Sequence, residues 1–227
     1  MIKPIGENIG VLHRPFRVMR MPLGKTTTVI RLADGRVLLH SAAPRRAEEV
    51  AAVHEWGEVA GIMEGSRIHD TFARELRGYF PGVPYGLPPG FPIPTDELAP
   101  VEPLARWNSR WGPEIKVLKI RGMPRLQEHV LLHVPSRTLV LTDLVFNLVF
   151  APGERVPWAL RWISGLRTFP GTSRLVKLCV KDRAAVQSSL AKMMAWDFDQ
   201  VVVGHGEVIT ENAKETLRDV LAWGLSG

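Results

Sequence analysis

The chain has 227 residues, of which 45% are hydrophobic and 23% charged, and its formal net charge at pH 7 is +6. These values exclude wholesale disorder, and the length is sufficient for one well-buried core. The basic residues are scattered rather than clustered, so we expect a small anionic molecule rather than nucleic acid as a partner. Nothing in the composition indicates an oligomeric state.

The cysteine content and the hydropathy indicate the compartment. Cys179 is the single cysteine, so no internal disulfide can form, and its apolar neighbours favour a small buried residue. No apolar segment reaches the roughly 20 residues that a membrane span needs, and the first 18 residues lack the pattern of a secretory signal. We therefore expect a cytoplasmic protein without a membrane partner.

The first half of the chain alternates strand and helix patterns. The run TTTVIRL, the turn Asp34-Gly35 and the run VLLH predict a β-hairpin. Two amphipathic helices are predicted at residues 44–56 and 70–80, on either side of the short strand VAGIM. Residues 83–103 are rich in proline, and we interpret them as a surface loop rather than a packed element.

The second half begins with three strand patterns, EIKVLKI, EHVLLHV and RTLVLTDLVF, the last two joined by a turn at Pro135-Ser136. A helix beginning near Asp182, a strand ending in VVVGHG and a final helix follow. Four tryptophans, at positions 107, 111, 158 and 162, lie in loop-rich regions, and we expect them to be exposed. This mixed order predicts a layered α/β fold, and residues 1–227 are interpreted as a single domain.

Three candidate site residues follow predicted strands. His69 comes after VAGIM, Asp143 ends the run TLVLTD, and His205 follows VVV. Histidine and aspartate are the residue types that zinc and iron sites use, although a lone residue of either type at a strand end more often caps a helix or binds loop backbone. The other histidines are interpreted as structural or surface residues; they include His40, His54, His129 and His133.

The order of these elements resembles the metallo-β-lactamase superfamily, and it is most similar to a bacterial branch without an assigned function. The segments that carry the resemblance are RLADGRVLLHSA, YFPGVPYGLPPGF, EHVLLHVPSRTLVLTDLVFNL and WDFDQVVVGHGEVI, which together span roughly residues 28–210. The resemblance implies a four-layer αβ/βα sandwich. It also implies a metal site at the sheet edge where the strands end in loops.

The ligand motif departs from that of the superfamily. The signature His-x-His-x-Asp-His corresponds here to residues 67–72, where only His69 matches, and Arg67, Thr71 and Phe72 replace three ligands. Another ligand histidine corresponds to a position near Arg125. The resemblance retains Asp143 and His205, and it places Asp70 where the branch often has a second histidine, either as an oxygen ligand or as a helix cap.

The resemblance therefore implies a degraded site with one metal ion at most. In one interpretation, His69, Asp143 and His205 hold a single zinc or iron ion, with Asp143, His205 and Asp70 as catalytic residues and Arg67 and Arg125 as substrate-binding residues. Such a protein would hydrolyse an ester, thioester, amide or phosphodiester. In the alternative, which the lost ligands slightly favour, a metal-free and non-catalytic pocket binds a small anion or a partner through its arginines. Nucleic-acid processing is less favoured, because the inserted domain of such enzymes is missing.

Overall fold

The computed structural model describes residues 1–18, 21–41, 46–151 and 153–225. Its strands, in chain order, are β1 Lys3–Gly6, β2 Ile9–Arg14, β3 Arg17–Val18, β4 Met21–Pro22, β5 Lys25–Arg31, β6 Val37–His40, β7 Val59–Met63, β8 Tyr85–Leu87, β9 Val101–Pro103, β10 Ile115–Lys119, β11 His129–His133, β12 Thr138–Val140 and β13 Gln200–Val202. Its α-helices are α1 Ala47–Trp56, α2 Ala73–Tyr79, α3 Trp107–Trp111, α4 Trp158–Trp162, α5 Arg174–Leu178, α6 Arg183–Met194, α7 Ala213–Val220 and α8 Ala222–Leu225. A short 3₁₀ helix, Leu104–Arg106, precedes α3.

The strands form two main sheets. The larger sheet has the order β1-β2-β5-β6-β7-β8-β9 and the smaller has the order β10-β11-β12-β13, while β3 and β4 pair as a separate hairpin. Strands β5 and β6 are antiparallel around Asp34-Gly35, and β11 and β12 are antiparallel around Pro135-Ser136. Both hairpins that the turn residues predict are confirmed.

Alternating strand residues divide the interior into three apolar layers. In the larger sheet, Leu38 belongs to the core between the two sheets, whereas Leu39 belongs to the core beneath α1 and α2. In the smaller sheet, Val202 faces the larger sheet, whereas Val201 and Val203 face the layer of α4–α7. Because neighbouring strand residues point to opposite faces, both sheets are buried on two sides. The result is the helix–sheet–sheet–helix sandwich that the family resemblance implies.

The proline-rich segment differs from its prediction as a surface loop. Strands β8 and β9 lie within residues 83–103 and extend the larger sheet by parallel pairing, and the Tyr85 and Leu98 side chains are completely buried. The loop prediction was wrong here because proline is compatible with an edge strand, and Pro103 ends the outermost strand of this sheet.

Two of the four tryptophans also differ from their prediction. Trp107 and Trp111 are buried on α3, in the core between the sheets, whereas Trp158 and Trp162 are exposed on α4. Residues 44 and 45 of the first predicted helix lie outside the described residues, and the helix itself is α1. No helix among the described residues is long and apolar enough to cross a membrane.

Candidate metal centre

The three candidate residues converge at one edge of the sandwich. His69 lies in the loop between β7 and α2, and Asp143 and His205 each lie three residues beyond the end of a strand in the smaller sheet. Those two strands, β12 and β13, are parallel neighbours, so their carboxyl ends open at the same edge. The larger sheet is joined to this edge by the Thr26 backbone N–H, which donates to the Gly204 carbonyl oxygen at 2.9 Å.

The donor atoms of these residues are spaced as ligands of one ion. His69 Nε2 lies 3.0 Å from His205 Nε2 and 3.2 Å from Asp143 Oδ1, and His205 Nε2 lies 3.4 Å from Asp143 Oδ1. Ligands about 2.0–2.1 Å from a tetrahedral zinc ion lie roughly 3.3 Å apart. All three side chains are buried. Among the described residues, this is the one group of three or more histidine, cysteine or acidic side chains whose possible ligand atoms all lie within 4.8 Å of one another.

The hydrogen bonds at Nδ1 of the two imidazoles turn both Nε2 atoms to the centre. His205 Nδ1 lies 2.7 Å from the Gly24 carbonyl oxygen, which only accepts, so the proton of the neutral ring is on Nδ1. His69 Nδ1 is 2.9 Å from Ser41 Oγ. Such partners fix the orientation of metal-ligating histidines. Asp143 Oδ2 is buried without a hydrogen-bond partner in the described part of the chain, so the residues fit a cation at this position.

Burial and charge set the ionisation of the site. Burial lowers the pKa of His69 to about 4, despite the opposing effect of Asp143, so the imidazole is neutral at pH 7 and able to bind a metal. Burial alone would raise the pKa of Asp143, but the adjacent His69 and His205 outweigh it and hold this pKa well below the usual range. The centre therefore places the neutral imidazole of His69 beside the ionised carboxylate of Asp143.

Both glycines beside His205 are required by close backbone contacts. A Cβ atom on Gly204 would lie 2.4 Å from the Thr142 carbonyl oxygen. Gly206 has a φ of +107°, and a Cβ atom there would lie 2.0 Å from the Asn147 carbonyl oxygen. The Gly-His-Gly sequence thus allows the β13 loop to lie directly against the loop that carries Asp143.

Glu128 holds the Asp143 loop from beneath. Its buried carboxyl accepts hydrogen bonds from the backbone N–H groups of Thr142 at 2.8 Å, Asp143 at 3.2 Å and Leu144 at 3.4 Å. Burial, followed by the negative charge of Asp143, raises the pKa of Glu128 to about 8 against the effect of these three donors. Glu128 is a positioning residue, because it acts on the site through the backbone of Asp143.

Lys25 contributes a positive charge to the cavity and could bind a substrate there. Its side chain is 98% buried, its Nζ lies 5.1 Å from the centre of the Phe72 ring, and it lines the same cavity as the three candidate ligands. Burial lowers the pKa of Lys25, and the charges of Glu64, Asp143 and Asp70 oppose this effect.

Comparison with solved structures identifies the architecture. The metallo-β-lactamase DIM-1 superposes with a TM-score of 0.57 and 12% identity over 98% of this chain and 96% of that chain. A metallo-β-lactamase from Pontibacter korlensis gives 0.60 and 10% over 98% of each chain. A putative diflavin flavoprotein fragment from Nostoc sp. PCC 7120 gives 0.65 and 15% over 99% and 94%. The protein has the metallo-β-lactamase fold. The sequence itself matches no protein-family model and no curated protein significantly.

Within the metallo-β-lactamase fold, the sequence-predicted arginines lie apart from the three-residue centre. The Arg67 guanidinium packs against Gly90, where a Cβ atom would lie 3.4 Å from its Cζ, and no hydrogen bond or ion pair joins it to Asp143. Arg125 is exposed. Burial raises the pKa of Cys179, and the positive charge of Arg125 partly offsets this increase. Arg125 is therefore near the cavity wall, while Arg67 belongs to the contact with the proline-rich segment.

Asp70 is half-buried and is not one of the three converging residues. Its charge acts on Lys25, and its side chain does not cap α2, whose N-cap residue is Phe72. The sequence interpretation did not identify Lys25 and Glu128. In the sequence, each of these two residues is only a charged residue at the start of an apolar strand pattern. Such a pattern does not distinguish a buried charge from one on the surface.

Proposed function

We propose that this metallo-β-lactamase-fold protein is a hydrolase that binds one zinc or iron ion through His69, Asp143 and His205. The single observation that carries the proposal is the spacing of the three donor atoms, 3.0–3.4 Å, with both imidazole Nε2 atoms facing inwards. Two imidazoles and one carboxylate form a donor set that leaves one position open, as in catalytic rather than structural zinc sites. When bound, the ion supplies a Lewis acid that makes water nucleophilic at neutral pH.

The chain itself supplies orientation and charge. Ser41 and Gly24 hold the two imidazoles, and Glu128 holds the backbone of Asp143. Lys25 directs a positive charge at the same cavity, where it would stabilise negative charge that develops on a carbonyl or phosphoryl oxygen. We assign this role to Lys25 rather than to the predicted Arg67, because the Arg67 guanidinium packs against Gly90.

A metal-free pocket that binds a small anion is the second candidate, and Lys25 is the observation that supports it. A buried ammonium group is unfavourable alone and favourable when it pairs with an anion. In this alternative, the Lys25 charge offsets that of Asp143 in the absence of an ion. The two candidates differ in whether a divalent metal or an inorganic anion raises the melting temperature.

Hydrolysis assays test the proposal. Protein purified without an affinity tag and loaded with Zn²⁺ or Fe²⁺ is assayed with p-nitrophenyl esters, a thioester and bis-p-nitrophenyl phosphate. We expect turnover that a chelator removes and added metal restores, and Lys25→Met should lower kcat by about 10–100-fold while metal is still bound. Lys116→Met, on an exposed position of β10, is the control. Activity that is indifferent to chelation would contradict the proposal, as would the absence of turnover with all three substrate classes.

A further inference from the structure

The cavity that contains the candidate ligands is mainly apolar. Its volume is about 300 Å³, and ten of its seventeen lining residues are apolar. These apolar residues come from separate parts of the chain: the β3–β4 hairpin contributes Val18 and Met21, the loop before α2 contributes Ile68, and the α5 region contributes Leu175 and Cys179. A cavity built only for a small polar anion would not need apolar walls from three separate elements.

The apolar lining continues to the protein surface. Ile68 and Leu175 both line the cavity, yet their side chains are 57% and 52% exposed. Single exposed apolar residues are common and need no explanation, but these two border one opening. An apolar path therefore leads from solvent to the buried polar end, where Lys25, His69 and His205 lie.

We infer that the substrate has one apolar acyl chain, which occupies this cavity and places its carbonyl group at the buried polar end; the inference rests on the proposed function. Water would add to the acyl carbon, the bond from that carbon to the alcohol or thiol group would break, and the leaving group would depart with a proton. The products are a carboxylic acid and an alcohol or thiol. The class is thus an acyl ester or acyl thioester of an apolar chain.

The cavity volume limits the chain length. A methylene group occupies about the same volume as a water molecule, roughly 30 Å³, so the whole 300 Å³, which includes the polar end, accommodates at most on the order of ten carbons. Each methylene that moves from water into an apolar site strengthens binding about fourfold. Affinity should therefore rise steeply with chain length and then level off near ten carbons.

Two parallel series test the inference. Binding of straight-chain carboxylates with four to sixteen carbons is measured calorimetrically on the metal-free protein, and hydrolysis of p-nitrophenyl esters of the same lengths is measured on the metal-loaded protein. We expect about a fourfold gain per methylene in both series, followed by a plateau. Binding with that dependence but without hydrolysis would overturn the proposed function and support the apolar-chain site. Equal affinity or equal kcat/KM at all lengths would overturn the inference, whether or not esters are cleaved.

Matched variants locate the bound chain. Leu175→Glu places a charge on the cavity lining and should reduce the gain per methylene to less than twofold. Leu178→Glu changes a more exposed residue of the same helix outside the lining and should leave the series unchanged. Since Cys179 is the only cysteine, alkylation with N-ethylmaleimide gives a second test. It should shorten the chain length at which affinity levels off, with Cys179→Ser as the unreactive control. An unchanged series after complete alkylation would overturn the assignment to this cavity.

Discussion

The Nε2 atoms of His69 and His205 face each other at 3.0 Å, although the two residues are 136 positions apart in the sequence. The proton of neutral His205 lies on Nδ1, because that atom faces a carbonyl oxygen, so its Nε2 presents a lone pair. A lone pair directed at another imidazole nitrogen and at a carboxylate oxygen requires a cation or a proton between them. The three residues therefore share either an ion or a proton, and they do not cap three loops independently.

Glu128→Gln tests how the Asp143 loop is held. The amide keeps the oxygen that accepts all three backbone N–H groups but replaces the second oxygen, 3.2 Å from the Asp143 backbone nitrogen, with an NH₂ group. We therefore expect the free energy of unfolding to fall by about 1–3 kcal/mol. Metal affinity should fall by about 10–100-fold, as for other groups that orient ligands. Urea denaturation and metal competition measure these changes.

Glu114→Gln provides the matched control for Glu128→Gln. Glu114 accepts one exposed hydrogen bond, from the Ala33 backbone N–H at 2.8 Å, so this substitution should change stability by less than about 1 kcal/mol. If Glu128→Gln behaves in the same way as Glu114→Gln in both assays, Glu128 does not position the metal centre.

Gly204→Ala tests the contact between the two ligand loops. The added Cβ atom would lie 2.4 Å from the Thr142 carbonyl oxygen, with no flexible side chain to move aside, so we expect a loss of about 3 kcal/mol or more, or failure to fold. Gly78→Ala is the control, since a Cβ atom there meets nothing within 4 Å in helix α2, and it should stabilise the protein by roughly 0.5–1 kcal/mol. Equal melting temperatures for the two variants would show that the loops are not in close contact.

The pH dependence of stability follows in part from His40. Burial, followed by the charges of His69 and Lys25, lowers the pKa of His40 from 6.5 to about 3. Between these values the unfolded chain binds a proton that the folded chain does not, so the free energy of unfolding falls as the pH falls, by up to about 1.4 kcal/mol per pH unit. Replacement by His40→Asn should reduce the slope between pH 6 and pH 4 by about one proton. Urea midpoints across this range measure it, and an unchanged slope would contradict the assignment.

Other buried titrating groups change the free energy of unfolding in opposite directions as the pH falls. Burial also lowers the pKa of His129 and of His133 to about 4, which adds to acid destabilisation below pH 6.5. Glu128 opposes them, because a carboxyl whose pKa is raised to about 8 stabilises the folded state as the pH falls from about 8 towards 4.5. We therefore compare His40→Asn with the wild-type protein at each pH rather than interpret the absolute slope.

Local sequence signals were sufficient for most of the architecture. Asp34-Gly35 was sufficient to predict one hairpin, because these residue types favour a tight turn. Asp182 marked the start of α6, which it caps by accepting a hydrogen bond from the Ala185 backbone N–H. The convergence of His69, Asp143 and His205 was predicted from the family resemblance and from their positions after strands. It arises because β12 and β13 are parallel neighbours, whose carboxyl ends meet at one edge. Their role as ligands stays a prediction.

Features that depend on distant packing were not predictable. Tyr85 is buried because β7 and β9 pair on either side of its strand, a contact that the surrounding prolines conceal in the sequence. Trp107 and Trp111 are buried because α3 packs against β10 and the larger sheet. Lys25 begins a strand in which nearly every side chain is buried, and no local pattern distinguishes its ammonium group from a solvated one.

Metal titration of untagged protein tests the central claim most directly. Zn²⁺ or Fe²⁺ is added to chelator-treated wild-type protein and to His69→Ala, Asp143→Asn and His205→Ala, with His54→Ala on the exposed face of α1 as the control. We expect one equivalent bound by the wild type and by the control, a melting temperature that rises with metal concentration, and loss of both effects in the three ligand variants. Less than about a tenth of an equivalent bound by the wild type, with an unchanged melting temperature, would contradict the central claim.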